Sequence, residues 1–537
     1  MPCPPVESTI HPHRLSRHNL LLIAAYSTLS VWLAHSQGQD ANWDLLNYHF
    51  YNAYMWLDGR FARDVHVAGV QSFFNPLVDV PFYVASRLGI PPRVFFLSLA
   101  AAQGVGLFIV HRVAMLVVPG VPPSVAPVVG GIAGLTAAFG AGFLSEVGNT
   151  MHDSTLGLLV LASLWIVLVQ LRRPGGPSIR MVLVAGALAG GAMGMKFTFG
   201  PQCVGLTACV LMLPGPARTR LGRAAVFAVA GGAAMAITGG YWMWLMYRHF
   251  DSPLFPFFNE FFRSPFAPPL NFVDDRFLPT TAFDAVFYPF YWISTQQNLV
   301  AEPPFRDARF AAVLVFLSML GLYALLARVS RHERPSARDM DGLVALTVFW
   351  VVSYVVWLEV FSVYRYAIPL EMLSGALIIG VSAVLASPWA RFVALSVPVC
   401  LAVSLGVQVP NFGRIGWSDS YFGVDTQALQ QYDGATVLMW DFPQGYLVPL
   451  FPSSATFLRL VSNWGLEEGT TMWERVRQSI AAADGGRLYL VDHPLGWFHE
   501  KQPEMLARFG LEATGECKTH PSHHLEFRMC AVRRMAP

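Results

Sequence analysis

The sequence predicts a polytopic α-helical membrane protein that carries a small α/β domain at its C-terminal end. Three observations lead there. The 537 residues are 54% hydrophobic and only 13% charged, about half the charged share of an ordinary soluble domain, and the mean hydropathy is +0.45. Apolar segments recur near 19–36, 93–118, 124–144, 154–171, 180–195, 197–213, 223–247, 307–329, 341–361, 366–386 and 389–408. Most approach the roughly 20 residues needed to cross a bilayer, so about eleven crossings are expected. The net charge of +2 comes from local Lys and Arg clusters and says little about partners; nucleic acid is not expected among them.

Those clusters order the segments. Arg14 and Arg17, His111 and Arg112, Arg172 with Arg173 and Arg180, Arg218 with Arg220 and Arg223, Arg328 with Arg331, Arg334 and Arg338, and finally Arg391 stand at alternate segment ends. Excess positive charge marks the cytoplasmic side. The clusters agree only if 73–88, short and holding Pro76, Pro81 and Asp79, lies on the membrane rather than through it. The N-terminus is then cytoplasmic, and His13, Arg14 and Arg17 precede a retained first helix with no small-residue cleavage site.

The outer side receives loop 37–92, loop 145–153, the turn at Lys196, loop 248–306, the turn Tyr364-Arg365-Tyr366 and everything beyond about Pro410. The expected division is a membrane domain over 1–409 and a soluble domain over 410–537. In a bacterial inner (plasma) membrane the latter is periplasmic. Within it, Thr436–Trp440, Arg487–Val491 and Phe527–Val532 read as strands and Thr470–Ala483 and Glu504–Phe509 as helices. Cys517 and Cys530 are spaced as two strands of a hairpin, and an oxidising compartment leaves a disulfide between them open. Cys203, Cys209 and Cys400 lie in apolar segments as small buried residues.

The stretch Asp40-Ala-Asn42-Trp43-Asp44-Leu-Leu-Asn47-Tyr48-His49-Phe50-Tyr51 is crowded with polar and aromatic residues. Drawn as one helix, Asp44, Asn47, Tyr48, Tyr51 and Asp58 share a stripe, with Leu46, Phe50, Ala53 and Leu57 opposite. This describes an interfacial helix with a carboxylate facing up. Other charges that a membrane tolerates poorly fall on the same side: Glu146, His152 and Asp153 in the second loop, Lys196 between two Gly-rich apolar stretches, and Arg365 beside Tyr366. Two separated cations, Lys196 and Arg365, suit a phosphate leaving group. Asp44 suits a general base for an attacking hydroxyl, and Asp153 a ligand for acceptor or sugar. Plainer roles stand beside these. Asp44 and Asp153 can cap helices, Lys196 can snorkel, Arg365 can pair with Glu359 or Glu371, and His49, His66 and His152 can be ordinary interfacial groups.

At these residues the sequence resembles the GT-C superfamily of polytopic glycosyltransferases. Asp44 in Asp-Leu-Leu-Asn-Tyr-His matches its acidic residue in a large first outer loop. Asn75-Pro76-Leu77-Val-Asp79-Val-Pro81-Phe-Tyr83 is similar to the second interfacial helix of that loop, and His152-Asp153 to a second acidic position. Gly194-Met-Lys196-Phe197 looks like the lysine turn of relatives such as the protein O-mannosyltransferases, and Arg365-Tyr366-Ala-Ile-Pro369 like an element near the lipid-phosphate site. The resemblance spans about residues 19–410. It lacks the Trp-Trp-Asp signature of oligosaccharyltransferase subunits and an Asp-x-Asp metal motif in the first loop.

The resemblance implies an inner-membrane enzyme, a hexosyl- or pentosyltransferase that inverts the anomeric carbon. A polyprenyl-phosphate-linked sugar is its donor; the acceptor is a lipid, glycan or protein. Asp44 is then catalytic, with Asp153, Glu146, His152, Lys196, Arg365, Tyr366, Asn47 and Tyr48 binding substrate. No cofactor and no metal ligand are expected, with a divalent ion left open. The alternatives are a transporter or flippase, or a polymerase or ligase, of lipid-linked saccharides. A transporter calls for mid-membrane charges and paired inverted repeats, and this sequence shows neither.

Overall fold

A computed structural model describes residues 17–329, 337–386, 389–463, 466–493, 496, 499–524 and 526–535. Arg14, Arg331 and Arg334, and the side chains of Arg328, Arg338 and Arg391, lie outside that description. Helix α1 (Arg17–Gln37) leads to a long first loop with β1 (Gln39–Asp40), α2 (Phe50–Leu57) and α3 (Val80–Arg87). The helical body continues with α4 (Pro92–Val117), α5 (Ala126–Ala138), α6 (Ala141–Glu146), α7 (Asp153–Leu171), α8 (Ile179–Met195), α9 (Gly200–Leu211) and α10 (Ala217–Phe250). Loop 248–306 holds α11 (Asn259–Phe262) and α12 (Ala282–Tyr291), followed by α13 (Arg309–Val329), α14 (Ala337–Val360), α15 (Ile368–Leu385) and α16 (Trp389–Leu405).

Each expected apolar segment meets a helix, but length separates them. Among the described residues, six helices are long and apolar enough to cross a membrane: Pro92–Val117, Asp153–Leu171, Ala217–Phe250, Arg309–Ala327, Met340–Val360 and Tyr364–Leu385. The expected segment 124–144 is divided at Gly140, whose extended backbone parts α5 from α6. Helices α8 and α9, with 17 and 12 residues, reach only about 26 and 18 Å. Eight-residue α3, within the expected interfacial stretch 73–88, is about 12 Å long, far short of the hydrocarbon core.

Helices α8 and α10 meet along a seam of small residues. A Cβ at Gly190 would lie 2.0 Å from the Gly231 carbonyl oxygen, an approach that only glycine permits. Helix α8 ends at Met195, and Lys196 follows at once.

The first loop departs from the single interfacial helix drawn above. Leu45–His49 form a π-type turn before α2 begins at Phe50, so the 100° spacing that defined the polar stripe does not run through it. Nor is there a wet face. Asn47, Tyr48 and Tyr51 are buried along with Leu46, Phe50 and Ala53, while Leu57 is exposed. The reason is a cover. The C-terminal sheet, with order β4-β3-β5-β7-β6, packs its apolar residues against the loop in a shared core, and the rings of Phe50 and Phe422 lie 4.9 Å apart.

The C-terminal elements are β2 (Arg414–Ile415), which pairs with β1, then β3 (Thr436–Met439), β4 (Thr456–Arg459), α17 (Thr471–Ala482), β5 (Leu488–Asp492), α18 (Gln502–Arg508), β6 (Leu511–His520) and β7 (Phe527–Arg534). Strands β4, β3 and β5 run parallel, and β7 and β6 are antiparallel. Val65 of the first loop adds a parallel bridge to Leu458, with its N–H on the Phe457 carbonyl at 2.9 Å and its carbonyl taking the Arg459 N–H at 3.1 Å. Cys517 and Cys530 face each other across β6 and β7 and are joined in a disulfide.

Candidate functional site

Neither Asp44 nor Asp153 caps its helix, because other side chains do so. Asn42 Oδ1 accepts the Leu45 N–H at 2.8 Å, and Asp40 holds Asn42 in turn, accepting from Asn42 Nδ2 at 2.8 Å. Asp44 makes no cap bond. Its Oδ2 takes a hydrogen bond of 2.5 Å from Arg365 Nη1. At α7, Glu146 Oε2 accepts the Ser154 N–H at 2.8 Å, so Asp153 is likewise released and its Oδ1 sits 2.6 Å from Lys196 Nζ.

The two cations are held by their neighbours. Lys196 Nζ also donates to the Met151 carbonyl at 2.9 Å. Asn75 Nδ2 of the first loop binds the Gly194 and Thr238 carbonyls, both at 2.9 Å, tying that loop to the α8 end beside Lys196. On the other side, Trp357 Nε1 donates to the Val363 carbonyl at 2.9 Å and the Tyr364 hydroxyl to Glu371 at 2.6 Å. Pairing of Arg365 with Glu359 or Glu371 is not found. Glu359 is exposed, and Glu371 is spent on the Gly142 and Phe143 N–H groups at 2.7 and 3.0 Å.

Tyr366 stands between the pairs, its ring centroid 5.4 Å from Lys196 Nζ and 5.2 Å from the Arg365 guanidinium carbon. Its carbonyl is held by Gln202 Nε2 at 2.7 Å. The arrangement is graded in depth. The Lys196 and Arg365 side chains are 18% and 16% exposed, those of Asp153 and Asp44 0% and 10%. An arriving anion therefore meets cation edges first. Each cation is matched by a carboxylate, so an anion that draws the cation away leaves that carboxylate free to act.

No protein-family model matches the chain, and no curated protein matches it significantly. Solved structures do. ArnT from Cupriavidus metallidurans bound to undecaprenyl phosphate aligns over 97% of this chain and 100% of its own at 11% identity and TM-score 0.48. Its apo state aligns over 95% and 97% at 13% identity and TM-score 0.46. The apo Archaeoglobus fulgidus oligosaccharyltransferase aligns over 91% of this chain and 71% of its own, at 11% identity and TM-score 0.48. Both proteins are of the GT-C family. At these identities and scores, no residue role passes from them to this chain.

The remaining expected residues divide. Glu146 lies behind Asp153 with Oε1 unpartnered and buried. Burial, and then the Asp153 charge, push its carboxyl well above the usual range. Tyr48 is buried, edge-on to His49 at 4.3 Å, and burial raises its phenol far above the ordinary value. Asn47 is turned to structural use, its Nδ2 donating to the Ala68 carbonyl at 3.1 Å while Gly445 packs on its backbone. His152 adopts a left-handed backbone, φ 69°, and its Nε2 meets Asp79 Oδ1 at 3.0 Å. His49 Nδ1 lies 3.8 Å from the same oxygen, and burial takes its imidazole down to about 3. His66 belongs instead with Ser462 of the C-terminal domain at 2.5 Å.

Asn42, Asn75, Gln202 and the anchoring role of Asp40 were missed in the sequence reading. Asp40 accepts from the Thr150 N–H at 2.9 Å and its hydroxyl at 2.8 Å, fastening the second loop to the first. The Asp40-Ala-Asn42 pattern did hold a signal, since Asx side chains favour local backbone N–H groups at helix starts.

Proposed function

We propose that the protein is a membrane glycosyltransferase that moves a sugar from a polyprenyl-phosphate donor to a lipid, glycan or protein acceptor at the periplasmic face of a bacterial inner membrane. One observation carries this reading. Asp44, Asp153, Lys196 and Arg365 come from four separate segments and meet as two half-open ion pairs around Tyr366. The six long apolar helices support a membrane setting; in this reading the N-terminus is inside and the site and residues 410–537 are outside, as the Lys and Arg clusters suggest.

In this reading the donor phosphate is gripped by Lys196 and Arg365. Arg365 leaves Asp44 to do so, and Asp44 becomes available as general base. The acceptor oxygen loses its proton to Asp44 and bonds to the anomeric carbon. The anomeric C–O bond to phosphate breaks, its electron pair leaves on polyprenyl phosphate, and the two cations stabilise that charge. Attack opposite the departing group inverts the carbon. Asp153 and Glu146 orient the sugar or acceptor, with Tyr366 and Tyr48 as walls.

The test uses purified full-length protein with radiolabelled polyprenyl-phosphate sugar. Release of polyprenyl phosphate is expected, and Asp44→Asn should lower it by about 10²–10⁴-fold while elution and unfolding midpoint stay as in the wild type. Full turnover by Asp44→Asn removes Asp44 as base. Labelled lipid that crosses the bilayer unconsumed establishes the transporter instead.

A further inference from the structure

We infer that His49, Asp79 and His152 form a binding site for one divalent transition-metal cation of the zinc type. The three come from different places: the π-type turn, the residue before α3, and the residue before α7. One ligating atom from each lies within 4.8 Å of the others, and all three residues are buried. His152 Nε2 and His49 Nδ1 stand 3.0 and 3.8 Å from a single oxygen, Asp79 Oδ1.

Those two separations compare with the ligand spacing around a bound metal. Ligands about 2.0–2.1 Å from zinc in tetrahedral geometry are about 3.3–3.4 Å apart, between the two observed values. The present contacts satisfy the groups incompletely. His49 Nδ1 is buried with no hydrogen bond, and among the described residues no Lys or Arg pairs with Asp79. The nearby Lys196 and Arg365 are already matched to Asp153 and Asp44. A cation would satisfy His49 Nδ1 and balance Asp79 together.

The donor set decides the class of metal. Two imidazoles and one carboxylate suit zinc, and also iron, cobalt or nickel; magnesium and calcium prefer oxygen ligands. Three protein ligands leave a position open for water or a substrate oxygen. If the proposed transfer reaction holds, and this clause alone rests on it, that position adds positive charge beside the phosphate seat. Asp44, the proposed base, is not a ligand and keeps its own partner.

The experiment needs no donor and so stands apart from the transferase assay. Tag-free full-length protein in detergent is stripped with chelator and reloaded with Zn²⁺ or Co²⁺. After gel filtration about one equivalent should remain, cobalt should give visible ligand-field bands, and excess Mg²⁺ should displace neither. His49→Ala, His152→Ala and Asp79→Asn should each reduce retention at least tenfold. Zinc X-ray absorption of the wild type should show two imidazoles, a readout that stands if a variant fails to fold. No retained metal, a zinc shell without two imidazoles, or full retention in variants that fold would overturn the inference.

Discussion

The molecule holds two sets of charges close to its long apolar helices, and they are built differently. Inside the helical body, Asp307, Arg309 and Glu371 are 0% exposed. Arg309 reaches Asp307 and the Phe139 carbonyl, the latter at 2.6 Å, and Glu371 takes two backbone N–H groups and the Tyr364 hydroxyl. The Asp44–Arg365 and Asp153–Lys196 pairs instead keep their cations partly open, at 16% and 18% exposure. The closed set is spent on holding helices; the open set keeps its cations within reach of solvent. Burial of a charge therefore does not by itself mark a site; the two sets differ in the exposure of their cations.

The widest separation between the two sets should come from Arg309→Ala. It leaves Asp307 buried without its charge partner and should cost about 3–5 kcal/mol, read as a lower unfolding midpoint in detergent. Unchanged stability would erase the distinction. Arg365→Ala should cost only about 1–2 kcal/mol yet lower donor turnover by about 10²–10³-fold. Arg365→Lys should not restore it, because ammonium lacks the planar fork.

The smallest change sharpens the boundary between the sets, where Glu146 stands. Its carboxyl is raised by burial, so the unfolded chain releases this proton at lower pH than the folded one. Stability is full below the ordinary value and falls as pH rises toward the folded value. Glu146→Gln, which copies the neutral form, should match the wild type near pH 4 and exceed it in unfolding midpoint at pH 8. Equal midpoints at both pH values would show that Glu146 is ionised in the folded state.

Much of this was legible in the sequence, for identifiable reasons. Apolar runs located the helices because burial in lipid or among helices asks for the same residues. They did not locate the break at Gly140, or show which helices stop short. In the C-terminal domain β3, β5, β7, α17 and α18 were legible from alternation and periodicity, whereas β4 and β6 were not; β6 is polar and mostly exposed, so it offers no apolar alternation. Lone charges such as Lys196 and Arg365 stood out because their surroundings are apolar. Their partners did not, since Asp44 and Arg365 are 321 residues apart. Asp307 was overlooked because it opens an apolar segment and looked like its edge. A shared role for His49 and His152 was not legible, since only the fold brings both to Asp79.

The Val65 bridge bears on what counts as a domain here. A boundary near 409 divides the chain by composition, yet the first loop lends the C-terminal sheet a further rung of backbone pairing and part of its covering core. The smallest cooperative unit thus straddles that boundary. Cutting the chain there would strip the roof from the residues around Asp44 and bare the edge of β4, so neither fragment would inherit a finished surface.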